Sequence, residues 1–194
     1  MRVHRIVEKT FAEGPGCRFS IWVQGCNHHC DGCFATDLWD FKGGYEISTE
    51  KVISDLQNVL KDISGVTFLG GEPFEYAAEL SKIAEYIHSV DKNVITFTGY
   101  DYETLKNQSS AKSLLDETDL LIDGRFEKSL VDYIRPLVGS KNQHFIFLTD
   151  KISKKDIIDY KDRFEIVISQ TGKTEFNGMG NIDKLKKFLK IMGN

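Results

Sequence analysis

The sequence predicts an α/β fold in which strands and helices alternate, and three observations carry that expectation. Six short runs are rich in β-branched and aromatic residues: FSIWVQ (19–24), GVTFLG (65–70), NVITFT (93–98), DLLID (119–123), HFIFLT (144–149) and FEIVIS (164–169). Such runs suit pleated, half-buried strands. Longer segments with apolar residues at helical spacing separate several of them. No internal repeat, low-complexity tract or Pro/Ser-rich linker interrupts the alternation, so residues 1–194 read as a single domain.

Each element has its own local reason. STEKVISDLQNVLKDI (48–63) opens on Ser/Thr capping residues and sets Val52, Leu56, Val59 and Leu60 on one face. FEYAAELSKIAEYIHSV (74–90) follows Pro73, which suits the first turn of a helix. YETLKNQSSAKSLLDE (102–117) and ISKKDIIDYKDR (152–163) complete the helical patterns. Strands joined through helices pair in parallel by right-handed crossovers, and six strands are too few for a closed eight-stranded barrel. The expected architecture is therefore a partial, open β/α barrel of about six parallel strands with outer helices; a doubly wound sheet is the second choice. In both, ligands bind where strands run into the loops that follow them. Residues 26–33 follow the first strand, Gly70-Gly71-Glu72-Pro73 the second, Thr98-Gly99-Tyr100 the third and Asp123-Gly124-Arg125 the fourth. All four stretches are expected on one rim.

Composition narrows the functional classes. Hydrophobic residues at 41% and charged residues at 28% describe an ordinary globular chain. A net charge of −4 gives no basis for binding nucleic acid or an anionic membrane. MRVHRIVEKTFAEGPG alternates polar and apolar residues and lacks the apolar centre of a secretory signal, and no run is long enough to span a bilayer. The expected location is the cytoplasm. Three of the four cysteines crowd one short loop, where a reducing compartment keeps them as thiols. Cys17 lies upstream and reads as a small buried hydrophobe.

The loop Cys26-Asn27-His28-His29-Cys30-Asp31-Gly32-Cys33 holds three thiols and two imidazoles. A structural zinc site needs four protein ligands, commonly as two separated pairs. Only one such group is present, so zinc would have to recruit Cys17, His28 or His29. A [4Fe-4S] cube normally takes four thiolates, and three would leave one iron open to another ligand. The residues alone leave both choices standing.

CxxxCxxC directly after the first strand resembles the signature of the radical S-adenosylmethionine enzymes. The resemblance implies that Cys26, Cys30 and Cys33 hold a [4Fe-4S] cluster whose open iron chelates the amino and carboxylate groups of S-adenosylmethionine. His28 and His29 are then not ligands, and are expected to face solvent or to hydrogen-bond locally. Family contacts to the adenine run along the backbone here, which singles out Gly32, Cys33 and Phe34. Many relatives carry an aromatic residue where Gly32 stands, but Cys-x-Gly-Cys-aromatic is common in one branch. Trp22, Phe34 and Trp39 would give the cluster apolar cover, and Trp22 also reads as plain core. By itself Gly70-Gly71-Glu72-Pro73 is an ordinary turn into a helix; beside the cysteine loop it matches the family's GGEP motif. That match places the Gly70 and Gly71 backbone against the ligand's ammonium, an approach that only glycine allows. Glu72 would assist there or complement the dipole of the next helix. By the same resemblance Arg125 faces the ligand's carboxylate, Asp123 supplies an acid nearby, and Thr98 touches the ribose. The plain alternative for Asp123 and Arg125 is an exposed ion pair. Activators of pyruvate formate-lyase have an acidic residue at the position of Thr96, so the chain departs from that branch.

GPGCRFSIWVQGCNHHCDGC, FLGGEP, TFTGYDYETL, LIDGRF and VGSKNQ resemble the branch that activates anaerobic (class III) ribonucleotide reductase, along nearly the whole chain. The implied reaction takes one electron from a low-potential donor and reductively cleaves S-adenosylmethionine to methionine and a 5′-deoxyadenosyl radical. That radical removes hydrogen from a glycine Cα of a large glycyl-radical subunit. No side chain is then expected to act as general base or nucleophile, because the cofactor carries the chemistry. The polar stretch 139–143 reads as a simple turn. Two other readings compete: the same chemistry on a different glycyl-radical enzyme or peptide, and a zinc-stabilised binding module without enzymatic activity.

Overall fold

In the computed structural model, residues 1–160, 165–168, 171–172 and 174–178 are described. Their strands are β1 (Arg2–Thr10), β2 (Arg18–Val23), β3 (Tyr45–Glu46), β4 (Gly65–Gly70), β5 (Asn93–Phe97), β6 (Leu120–Asp123), β7 (His144–Phe147), β8 (Glu165–Ile168) and β9 (Thr174–Asn177). The first seven form one open sheet in the order β3-β1-β2-β4-β5-β6-β7. Four of the predicted runs, β2, β4, β5 and β6, are adjacent and parallel. One row, Ser20-Thr67-Ile95-Leu120, crosses all four in register.

The expectation of six parallel strands is corrected to four. β7 pairs antiparallel with β6, from Leu120↔Phe147 to Asp123↔His144. Between them lies only one short helical turn, Lys128–Leu130, and without a crossover helix the chain returns beside the strand it has just left. β8 forms a separate antiparallel pair with β9; residues 164 and 169 of that predicted run lie outside the described residues. β1 and β3 extend the sheet on its other side, both antiparallel.

The helices are α1 (Thr49–Val59), α2 (Ala77–Ser89), α3 (Tyr102–Lys106), α4 (Lys112–Asp116) and α5 (Lys154–Asp159). Ser48 caps α1 as the sequence suggests, its hydroxyl accepting from the Lys51 N–H at 3.2 Å. A single turn, Pro73–Tyr76, leads into α2. The pattern over 102–117 is not one helix but α3 and α4, broken at Asn107-Gln108-Ser109-Ser110, whose side chains compete for backbone hydrogen bonds. α5 opens on a capping box between Ser153 and Asp156; positions 161–163 of its predicted segment lie outside the described residues.

α1 and α2 cover one face of the sheet. Phe19, Ile21 and Val23 of β2 and Val66 and Phe68 of β4 pack there with Val52 and Leu56 of α1 and Leu80, Ile83 and Ile87 of α2. Each such side chain contributes about 1.5–3 kcal/mol by leaving water. Cys17 belongs to this cluster, as expected of a small hydrophobe. On the opposite face Ile95, Leu120 and Ile122 pack against Leu137, Val138, Ile152 and Ile157. Towards β2 that face turns polar: the buried Arg18 guanidinium donates to Thr67 Oγ1 at 2.9 Å, to Asn93 Oδ1 and to the Val66 carbonyl. No helix among the described residues is long and apolar enough to cross a membrane.

Candidate metal centre and its rim

Because β2, β4, β5 and β6 run the same way, their C-terminal ends share one edge of the sheet, and the four unusual loops meet there. The cysteine loop leaves β2 and is held from its far side: Gly25 N–H donates to Leu38 O at 2.8 Å and Cys26 N–H to Trp39 O at 3.2 Å. A tight turn closes its other half, with Cys33 N–H donating to Cys30 O at 3.1 Å. The loop from β4 is stitched beneath it, Gly71 N–H donating to Val23 O and Glu72 N–H to Gly25 O, both at 2.8 Å. The approach leaves no room for a side chain: a Cβ on Gly71 would lie 2.2 Å from Gly25 O. Gly70 has φ +108, which glycine adopts freely. Both glycines are therefore already required by contact with β2 and the cysteine loop.

All three loop cysteines are free thiols, Cys26 buried and Cys30 and Cys33 half-buried. Burial raises the pKa of Cys26, while the His28 and His29 backbone N–H groups favour its thiolate. Burial likewise raises Cys30, opposed by the Phe126 backbone and the Arg125 charge. The Ala35 N–H donates to Cys33 Sγ at 3.4 Å. Each sulfur thus has a backbone donor that stabilises the thiolate form a metal requires. N–H donors aimed at sulfur are also among the features that tune iron–sulfur clusters. Three thiols with these donors fit a cluster held by thiolates. Among the described residues no three His, Cys, Asp or Glu side chains stand around a single ion position, and a cubane places its thiolates on separate irons.

The two histidines differ: His29 faces solvent as expected, whereas His28 departs from the expectation of solvent exposure or local bonding. His28 turns inward, its side chain 4% exposed, and its Nε2 lies 2.9 Å from Glu72 Oε2. Its ring packs edge-on to Tyr100, with centroids 4.4 Å apart. His29 remains exposed and stacks on Trp39 at 4.6 Å. The cause of the His28 placement is Glu72, which is 1% exposed. A buried carboxylate needs its lone pairs satisfied. Glu72 Oε1 accepts from Phe74 N–H at 3.0 Å and Thr98 Oγ1 at 2.9 Å, and Oε2 accepts from Gly99 N–H at 2.9 Å beside His28. Glu72 therefore ties three rim loops together.

The remaining rim residues are placed as follows. Thr98 is buried and also accepts from Tyr100 N–H at 3.1 Å. Asp123 is buried, but its partners are His144 Nδ1 at 2.9 Å and Tyr102 N–H at 2.8 Å. Arg125 lies exposed on the next loop, near enough for its charge to oppose the burial-driven rise in the Cys30 pKa. Gly32, at φ +76, sits against the Lys128 side chain, and Phe34 stands outward near Phe126 with ring centroids 6.3 Å apart. Trp22 is not plain core: Arg5 lies over its ring at 4.5 Å, and its Nε1 has no partner. The 139–143 stretch is a structural turn, Gln143 Oε1 accepting from the Gly139 and Ser140 N–H groups. Phe126 and Lys128 are rim residues that sequence reasoning did not single out, and it did not foresee the bond from His28 to Glu72. The available signal for His28 was the need of a carboxylate in the GGEP turn for a donor.

Comparison with known proteins adds two findings. The family model described as a 4Fe-4S single cluster domain matches residues 12–146. The chain is also similar to curated proteins named anaerobic ribonucleoside-triphosphate reductase-activating protein. That of Enterobacteria phage T4 is 32% identical over 162 residues, spanning 80% of this chain and 100% of the relative. That of Vibrio cholerae serotype O1 is 31% identical over 151 residues, spanning 74% and 96%. That of Escherichia coli K12 is 27% identical over 150 residues, spanning 74% and 96%.

Proposed function

Because this chain belongs to the 4Fe-4S single cluster domain family and to the anaerobic ribonucleoside-triphosphate reductase-activating proteins, we propose that it generates the glycyl radical of an anaerobic ribonucleotide reductase. When bound, a [4Fe-4S] cluster would supply the electron for reductive cleavage of S-adenosylmethionine to methionine and a 5′-deoxyadenosyl radical, and that radical would take a hydrogen atom from a glycine Cα of the reductase to give 5′-deoxyadenosine. The protein's own part is to hold, orient and shield these groups.

In this reading Cys26, Cys30 and Cys33 would hold the cluster, and the absence of a fourth cysteine in the loop would leave it open to S-adenosylmethionine. The backbone of Gly32, Cys33 and Phe34 runs along the adenine. Gly70, Gly71 and Glu72 border the methionine ammonium, Glu72 chiefly by fixing the loops around it. Arg125 faces the carboxylate. Asp123 and Thr98 flank the ligand while their own polar atoms hold the rim. The open sheet wraps the site as part of a barrel wall, and its open side admits a loop of the partner. A low-potential carrier supplies the electron, and the cytoplasm is the compartment. The observation that carries this reading is the meeting of a three-thiol loop, each sulfur with its N–H donor, and the GGEP loop at one rim.

Anaerobic iron loading tests it. A brown protein with about four irons per chain is expected. Cys26→Ala, Cys30→Ala and Cys33→Ala are each expected to lose the chromophore and the formation of 5′-deoxyadenosine, whereas Cys17→Ala keeps both. A colourless protein carrying zinc, or retained cleavage in any of the first three variants, overturns the reading.

A further inference from the structure

The connection from β6 to β7, residues 124–143, leaves the strand end beside Asp123 and lies against the cysteine loop. Phe126 meets the ring of Phe34, its backbone acts on Cys30, and Lys128 lies over Gly32 and 4.0 Å from Asp31. This connection is firmly tied. Asp132 N–H donates to Gly139 O at 3.0 Å and Lys141 N–H to Leu130 O at 2.7 Å, so its two limbs run antiparallel. Arg135 binds Asp132, the Gln143 carbonyl and the Ser140 carbonyl. Leu137 and Val138 are buried under β5 and β6 in the core.

Its outer surface is apolar although its inner bonds are satisfied. Ile134 is 89% exposed, Tyr133 53% and Leu130 37%, and Phe34 of the cysteine loop, whose ring stands near that of Phe126 at the start of this connection, is 74% exposed. Large apolar side chains held rigidly in water mark a contact surface rather than a packing failure. The Asp132 carboxylate accepts from both the Ile134 and Arg135 N–H groups, at 2.8 and 3.1 Å, which presents Ile134 outward in a fixed turn.

We propose that Leu130, Tyr133 and Ile134, continued by Phe34, form the docking surface for the reductase segment around its radical-bearing glycine. The proposal rests on the activating function above. That function fixes the occupant: hydrogen transfer needs the donor carbon within contact distance, so the partner's glycine must enter at this rim. A protein segment entering there meets Phe34 and the connection that packs on the cysteine loop through Phe126 and Lys128. A rigid apolar platform also lowers the ordering cost of association.

Ile134→Glu and Tyr133→Ser are the test, singly and together, in the iron-loaded full chain with the intact reductase. Expected are an increase of at least tenfold in the Kd of the complex and a matching loss of glycyl-radical signal at sub-saturating reductase. Formation of 5′-deoxyadenosine without reductase should be unchanged, which separates docking from loss of the site. Ile158→Glu, at an exposed apolar residue of α5, should alter none of these. An unchanged Kd and radical yield in the double variant, or an equal loss in Ile158→Glu, overturns the proposal. So does an unaltered protein that dimerises through this surface and becomes monomeric on Ile134→Glu, because the occupant is then a second copy. If the unaltered protein cleaves S-adenosylmethionine but never yields a radical on the reductase, the functional reading fails first and takes this surface with it.

Discussion

Glu13 sits fully buried beside the polar face of β2, and neither of its carboxylate oxygens has a well-formed hydrogen bond. Burial raises its pKa to about 8; the Arg5 charge and the Gly178 backbone pull it only partly back, and Glu165 adds to the rise. The folded protein therefore keeps a proton that the unfolded chain gives up near pH 4.5. Between those values the native state binds more protons, so stability falls as pH rises, by up to about 1.4 kcal/mol per pH unit. Below the window the effect is fully absent, and above it the loss is complete. Glu13→Gln removes the titration: urea unfolding at pH 5, 6.5 and 8 should show the unaltered protein losing stability relative to the variant across the series. Parallel curves would contradict the assignment. At this scale Cys26, Cys30 and Cys33 were visible as a candidate metal-binding group, because three thiols crowd one short loop. The sequence did not declare Glu13 or the inward turn of His28. Each depends on which side chains the sheet brings close, and spacing along the chain does not record that.

At the scale of elements, the contact between the loops after β2 and β4 is the joint on which the rim depends. Gly71 is fixed there by the 2.2 Å that a Cβ would leave to Gly25 O. Gly71→Ala should push the loops apart, at about 1–3 kcal/mol of stability, and should abolish 5′-deoxyadenosine formation before the protein unfolds. Denaturation midpoints and product assays under anaerobic conditions check both. β4 was legible residue for residue because GVTFLG is bounded by glycines and filled with strand formers. β1 was harder to read: its apolar residues Val3, Ile6 and Val7 do not keep a period of two, and its pairing with β2 shifts register between Val3 and Arg5. The direction of β7 was harder to read, since an apolar run has no direction. The absence of a helical pattern between 124 and 143 was the pertinent clue.

For the whole molecule, the thiols belong to a loop held by Leu38, Trp39, Gly71 and Glu72, and through Glu72 by Thr98 and Gly99. A cluster bound only by this assembled state stabilises it by mass action. Removing iron with a chelator under anaerobic conditions should lower the melting temperature by about 5 °C or more, given about 2–4 °C per kcal/mol for chains of this size. Cys30→Ala should melt alike with and without iron; equal melting of both forms of the unaltered protein would show that the loop does not report to the fold. The convergence of four strand-end loops was readable beforehand because parallel strands share their polarity. How those loops are tied was not, since the ties run between residues far apart in sequence. That same distance has a consequence for biosynthesis. On the ribosome Cys26, Cys30 and Cys33 emerge well before Gly71, Glu72 and Thr98, so the thiols are made before the frame that shapes them exists. Iron delivery must wait for that later part of the chain, and in the interval three bare thiols meet whatever oxidant the cell contains.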